Sequence, residues 1–457
     1  VPELIESLVG IVGAAAVDGG EDVHEDDTHD ECLTVPPVRP LAVVRPTETA
    51  QVARILELAQ ERNVPVTARG SGTGLSGAAT PVAGGIVVCF DRMDRILEID
   101  TENHLAVVQP GVRLVDLDEA LRPLGLVYPV YPGEYSASIG GNVATNAGGM
   151  RAVKYGVTRH QVLGLEVVLP GGETLRTGGR YVKSTTGYDL TQLIIGSEGT
   201  LALVTEVIIK LYPRPEHQAT VLAPFSTLDE VTAAVPRIVD SGIGPLVLEY
   251  IDLLTMSATA SYSGLELGIP QEIKDSALAY LVVVLENAHE DRLEEDLGAL
   301  AGQLAELGAL DVFVLPPAAA GDLIAAREQA FWMAKANGAD DIVDVVVPRA
   351  QIPVFMNRVS ELAAEYDAWI AGCGHAGDGN VHLGVFCADD ERRGRLLHEL
   401  FASGMQLGGA ISAEHGIGGA KKEHFLELED PAKIALMRRL KSAFDPAGIL
   451  NPGTIFD

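Results

Sequence analysis

Arg69-Gly70-Ser71-Gly72-Thr73-Gly74-Leu75-Ser76-Gly77 holds a G-x-G-x-x-G pattern at Gly72, Gly74 and Gly77. In a dinucleotide-binding βαβ unit this pattern opens a helix whose N-terminus receives the pyrophosphate. Here Ala78-Ala79-Thr80-Pro81 runs at once into Gly84-Gly85 and the strand-like Ile86-Val87-Val88-Cys89-Phe90. No helix fits between them, which excludes a nicotinamide-type Rossmann site. A non-helical run of backbone N–H groups still suits an anion. Taken alone, a set of tight turns accounts for the loop equally well.

Two further glycine clusters follow. Pro132-Gly133-Glu134-Tyr135-Ser136-Ala137-Ser138-Ile139-Gly140-Gly141-Asn142-Val143-Ala144-Thr145-Asn146-Ala147-Gly148-Gly149 is rich in small residues that permit close backbone approach, and it reads as too small-residued to pack a core. Ser138, Asn142, Thr145 and Asn146 supply polar contacts within it. Gly196-Ser197-Glu198-Gly199-Thr200-Leu201 follows the apolar Leu193-Ile194-Ile195. Short strands and turns fit this texture from about residue 64 to 200. Before it, Thr47-Glu48-Thr49 leads into Ala50 to Ala59 as a capped amphipathic helix. After Leu211-Tyr212-Pro213-Arg214-Pro215, helical stretches (227–240, 291–307) alternate with strand-like runs at 246–250 and 279–285. That order predicts helices on one face of a mostly antiparallel sheet. The acidic stretch from Glu21 to Glu31 reads as a solvated loop.

The chain has 457 residues, 47% of them hydrophobic, enough for two or three cores. Lys and Arg number 33 against 64 Asp and Glu, a net charge of −31. Such a charge repels nucleic acid and weakens contact with anionic membranes. Cys32, Cys89, Cys373 and Cys387 form no C-x-x-C and no disulfide framework, so they are expected as core residues in a reducing compartment. No apolar run nears a membrane span, and no secretory leader is visible. A cytoplasmic location is expected.

In this order and spacing the three clusters resemble the flavin-binding domain of the vanillyl-alcohol-oxidase/para-cresol-methylhydroxylase superfamily. From about residue 30 to 455 the chain is similar to the FAD-linked D-2-hydroxyacid dehydrogenases of that superfamily, the group of D-lactate dehydrogenase, the glycolate oxidase large subunit and D-2-hydroxyglutarate dehydrogenase. The resemblance implies an α+β fold. A PCMH-type FAD-binding domain would span 1–215 and a cap domain with the metal site 216–424, while 425–457 would return to the flavin through Asn451. It further implies that Arg69, Gly70, Ser71, Gly72, Thr73, Gly74, Leu75 and Ser76 wrap the FAD pyrophosphate. Pro132, Gly133, Ser138, Ile139, Gly140, Gly141, Ala144, Thr145, Gly148 and Gly149 would line the isoalloxazine and ribityl chain. Glu198, Gly199 and Val204 would close the adenine side. Some relatives attach FAD through a histidine near the first loop; this loop has none, so FAD is expected to be non-covalent.

Gly374-His375-Ala376-Gly377-Asp378-Gly379-Asn380-Val381-His382 carries the chemistry most visible without any family. On a helix the histidines would stand about 10.5 Å apart along the axis, too far to share an ion. With Asp378-Gly379 as the centre of a two-residue hairpin they become mirror positions, facing each other at about 4.5–5.5 Å between Cβ atoms. Two imidazoles and a carboxylate make a zinc-type set with one open position, and Glu414 is a suitable third ligand. Manganese and iron suit it too. The alternative is two strand histidines beside an ordinary turn. Family members place a divalent ion on the matching His, His and Glu, with zinc or manganese expected here.

The resemblance also assigns His415 as catalytic base and Arg327 as the grip on the substrate carboxylate. A loop histidine and a helix-surface salt bridge are the plainer readings of these two. Relatives that take a second carboxylate carry a lysine shortly before the Asp-x-x-x-Pro strand, where this chain has Val343 ahead of Asp344. Two positions past the second histidine, where they carry asparagine, it has Gly384. A small D-2-hydroxy acid, lactate or glycolate, is therefore expected over 2-hydroxyglutarate. The other partners expected are an electron acceptor of open identity and either a second copy of the chain or accessory redox subunits. The rival readings are a non-redox ether-lipid synthase of the alkyl-dihydroxyacetonephosphate type and an FAD-binding subunit of a multi-protein glycolate oxidase.

Overall fold

The computed structural model describes residues 2–456. Strands β1 (Val17–Gly19), β2 (Ala42–Val44), β3 (Val66–Arg69) and β4 (Ile86–Cys89) form the first sheet, in the order β1-β2-β4-β3. Both β2 and β3 run parallel to β4. Helix α1 (Thr49–Arg62) makes the crossover from β2 to β3. Val52, Ile55, Leu56 and Ala59 repeat at helical spacing and are buried against this sheet. The helix stops at Asn63, in the left-handed region with φ 51°, two residues before Pro65. After β3 the chain crosses to β4 through turns alone, so the first glycine loop opens no helix.

The second sheet is antiparallel, with β5 (Ile96–Asp100), β6 (Leu105–Val108), β7 (Val162–Val168), β8 (Thr174–Gly178) and β9 (Leu203–Lys210) in the order β5-β6-β9-β7-β8. The second glycine cluster enters this core. Ile139–Thr145 is a short helix, α2, capped by Ser138, whose hydroxyl accepts from Gly141 N–H. Its Ile139 and Val143 are buried with Val207 and Ile194, so the cluster does help to pack a core despite its small residues. Near the C-terminus, Leu450 pairs with Val66 at the open edge of β3.

The cap sheet holds β10 (His217–Phe225), β11 (Val247–Asp252), β12 (Ala279–Asn287), β13 (Phe313–Leu315), β14 (Asp341–Val346), β15 (Trp369–His375) and β16 (Asn380–Phe386). Their order is β13-β10-β12-β11-β15-β16-β14, and all the pairs are antiparallel. Helices α3 (Leu228–Asp240), α5 (Glu290–Glu306), α7 (Ile352–Glu365) and α8 (Asp390–Gln406) cover one face, burying Val235, Leu300, Phe355 and Leu400. Helices α4 (Leu253–Ser263) and α6 (Pro317–Glu328) cover part of the other face, with Met256 and Leu323 against Ile251 and Val282. A one-sided helical layer is thus only half of the arrangement. The rest of the second face, at β14 to β16, carries the polar Asp344, His375 and His382 at one end and the apolar Ile342, Trp369 and Phe386 at the other. Among the described residues no helix is long and apolar enough to cross a membrane.

The acidic stretch departs from its reading as a solvated loop. Asp27, Thr28 and Asp30 are buried. Asp27 meets Arg45 at 2.7 Å and Arg69 at 3.5 Å, and Asp30 accepts N–H groups of Cys32 and Ala79. Cys89, Cys373 and Cys387 are core residues as expected, but Cys32 is only half-buried.

Candidate active site

A cavity of about 190 Å³ follows the first glycine loop. All of Arg69 to Ser76 line it, with Pro132, Ser138, Gly140, Gly141, Ala144, Thr145, Glu198, Gly199 and Val204. The loop bends sharply at Gly72, φ 73°, where a side chain would run into the Arg69 guanidinium. Arg69 is itself tied down by donating to His29 O at 2.6 Å. The buried Asn142, also in this wall, has an Nδ2 with no partner.

The other predicted flavin residues stand elsewhere. Ile139 points into the core, because the first turn of α2 turns its one large side chain inward. Gly133 lines the neighbouring, larger cavity. Gly149 lies hard against Tyr131 O, and a Cβ on Gly148 would be 2.6 Å from Glu414 Oε2. Asn451 donates to Ala78 O at 2.8 Å and Glu198 O at 2.7 Å, bracing the walls instead of lining the space.

That larger cavity, about 360 Å³, adjoins the first, and Glu414 and His415 line both. His375 and His382 reach it from β15 and β16, though not by the expected register. The turn is four residues long, 376–379, so His375 pairs with Asn380 and His382 with Cys373. The histidines are diagonal neighbours on one face, still within reach for rings. Their centroids are 4.9 Å apart, and both Nε2 atoms converge on Glu414 Oε1, at 3.3 Å from His375 and 3.1 Å from His382. His415 stacks on His382 at 5.2 Å. Burial outweighs the pull of nearby Asp344 and holds the His415 imidazole down to about 4, so it is neutral near pH 7.

Two buried carboxylates organise this group. Glu249 on β11, fully buried, meets His375 Nδ1 at 2.5 Å and the Arg327 guanidinium at 2.8 Å. Burial pushes Glu249 upward, but His375 and Arg327 more than offset it and hold the carboxyl below its usual range. Asp344 on β14 accepts from Ser412 Oγ and from the N–H groups of Ala413, Glu414 and His415 at 2.8–3.1 Å. It therefore shapes the whole loop that presents Glu414 and His415. Neither residue stood out in the sequence. The available signal was a lone acid inside an apolar strand run, Leu246-Val247-Leu248-Glu249-Tyr250 and Ile342-Val343-Asp344-Val345-Val346, because a buried charge demands partners.

A third acid ties this loop to the half that carries the glycine loop. Glu198, φ 51°, accepts from Ile417 N–H at 2.8 Å and Gly418 N–H at 2.7 Å. Burial pushes its carboxyl up to about 7, against the opposing effect of those two donors. Arg327, at the end of α6, is buried and lines the larger cavity, and its Nε has no partner. Val343 turns into the cap core, and its neighbour Ile342 reaches the cavity instead.

Comparison with known proteins agrees with this architecture. The family profile "FAD linked oxidases, C-terminal domain" matches residues 214–455, and that of an FAD binding domain matches residues 40–178. An FAD-linked oxidoreductase of Mycobacterium tuberculosis is 60% identical over 454 residues, 99% of each chain. A D-lactate dehydrogenase of Anaerostipes hadrus is 38% identical over 467 residues, 99% of this chain and 97% of the relative. The crystal structure of p-cresol methylhydroxylase with substrate bound superposes with a TM-score of 0.81 at 18% identity, covering 100% of this chain and 97% of that one, a likeness of fold. The chain belongs to the FAD-linked oxidases, as an FAD-linked oxidoreductase of the D-2-hydroxyacid dehydrogenase group built on the p-cresol methylhydroxylase fold.

Proposed function

We propose that the chain oxidises D-2-hydroxy monocarboxylates to 2-oxo acids, using non-covalent FAD and a divalent ion, zinc or manganese, held by His375, His382 and Glu414. The observation that carries this reading is the convergence of two imidazoles on one carboxylate oxygen, in a wall shared by both cavities. The donor set suits such an ion, and Glu249 on the far side of His375 is the carboxylate–histidine support that metal-bound imidazoles commonly have. The glycine-loop cavity suits FAD: its walls are backbone and small side chains, and Asn142 offers an unused donor. On this reading residues 1–215 hold the flavin, 216–424 carry the metal site, and 425–457 return to the flavin half.

When bound, FAD accepts the C2 hydride and the ion acidifies the substrate hydroxyl. The side chains do the rest. Arg327 has Nε free of hydrogen bonds and faces the substrate space, suited to grip the carboxylate. His415, neutral and half-buried, takes the hydroxyl proton. The C2 hydrogen leaves with two electrons and the oxygen-bound hydrogen as a proton, which leaves a 2-oxo acid. Lactate and glycolate are the smallest acids of the class, and Gly384 leaves no polar contact for a second carboxylate.

The test is anaerobic mixing of FAD- and metal-loaded protein with a panel of D- and L-2-hydroxy acids. Lasting loss of the flavin's visible absorption with D-acids is expected. A loaded protein that no 2-hydroxy acid reduces would overturn the reading and favour a non-redox flavoenzyme.

A further inference from the structure

We propose that the preferred substrate is a D-2-hydroxy acid with an unbranched alkyl tail of medium length, held in an apolar slot that leads from the histidines to Trp369 and Phe386. This rests on the function proposed above and adds the substrate class.

The slot follows from strand geometry. On the sheet face that carries the histidines, β15 and β16 present successive facing pairs: Cys373 opposite His382, Ala371 opposite Gly384, Trp369 opposite Phe386. All six line the larger cavity. From His382 to Phe386 is four residues of strand, about 13 Å. The middle pair is the smallest of the three, so the floor there is a trough. Ile342, the β14 partner of Gly384, forms its apolar far bank. A Cβ added at Gly384 would stand 3.5 Å from Phe386 and 3.6 Å from Ala334, so any side chain there would grow into the trough and take up its space.

Size and charge point the same way. About 360 Å³ is within the usual range for pockets that enclose drug-sized ligands, far beyond what a three-carbon acid fills. Part of that space, at Thr73, Leu75, Pro132 and Gly133, belongs to the flavin, but the slot from Ala371 to Phe386 is floored by the cap sheet. Among the described residues that line the cavity, Arg327 is the one Lys or Arg, while Glu31, Glu134, Glu328 and Glu414 are acids, Glu31 being paired with Lys335 outside the lining. A second carboxylate would find no lining cation of its own. At the far end the Trp369 and Phe386 ring centroids are 5.1 Å apart and Trp369 is 55% exposed, so the slot opens to solvent there and a tail can run out past it.

The test is a chain-length series with the loaded enzyme: glycolate, D-lactate, D-2-hydroxybutyrate, D-2-hydroxyhexanoate and D-2-hydroxyoctanoate, with D-3-phenyllactate for comparison. Each buried methylene favours binding, so kcat/KM with an artificial electron acceptor should rise by about tenfold or more from lactate to 2-hydroxyoctanoate, and phenyllactate should fall below the octanoate. Gly384→Val, and Ala371→Leu from the other bank, should each bring the octanoate-to-lactate ratio down to about one or lower. If wild-type kcat/KM stays flat or falls with length while lactate still reduces the flavin, the slot assignment fails and the proposed function stands. If phenyllactate exceeds the octanoate, the alkyl assignment fails. If no acid of any length reduces the bound flavin, both fail.

Discussion

The two cavities that meet at Glu414 and His415 are built from different materials. The glycine-loop cavity is made of backbone and small side chains that follow one another in sequence, as in Arg69 to Ser76. The histidine cavity takes its chemistry from side chains brought together from far apart, Arg327, His375, His382 and Glu414, with Glu249 and Asp344 buried behind them. The first kind of site depends on φ values and close approach. The second depends on sheet register and on buried charges that position one another. Damage to one should therefore leave the other largely intact.

The largest expected effect tests that division from the histidine side. His382→Ala should lower metal content and slow flavin reduction by several orders of magnitude, while bound FAD, measured by absorbance, stays stoichiometric. Loss of FAD in this variant would break the comparison. His415→Ala should slow reduction by roughly 10²–10⁴-fold while both FAD and metal are kept, since it removes a base and no ligand. Glu249→Gln should weaken metal binding by roughly 10–100-fold, read by competition with a chelating dye, and raise KM because Arg327 loses its anchor. The smallest effect belongs to the backbone-built site. Gly72→Ala forces a side chain into the left-handed region, at a cost of about 1–2 kcal/mol, and also displaces the Arg69 guanidinium. It should lower the thermal midpoint and loosen FAD, with metal affinity unchanged.

The same contrast explains what the sequence made legible. The glycine clusters and the missing helix after the first of them are local properties, so they could be read directly. The histidine pair was legible as chemistry but not as register. Asp378-Gly379 looks like a two-residue turn, and nothing local shows that Ala376 and Gly377 join it. Glu249 and Asp344 escaped because each draws its meaning from partners far along the chain. Asp27 and Asp30 were hidden in the same way, since an acidic run looks solvated until Arg45 and Arg69 are seen to fold over it.

The loop from Ser412 to Gly419 is clasped from three sides. Asp344 holds it from the cap sheet, Glu198 from the flavin half, and Ser76 O accepts from Gly419 N–H at 3.0 Å. The halves cannot separate without releasing the Glu198 and Ser76 clasps together, while Asp344 keeps the loop on the cap. Opening of the halves would break both, whereas the proposed slot, with Trp369 exposed at its end, offers substrate a path that breaks neither. The amide hydrogens of Ile417 and Gly418 should then exchange with solvent only as the whole molecule unfolds, at the slow end of the protein's range.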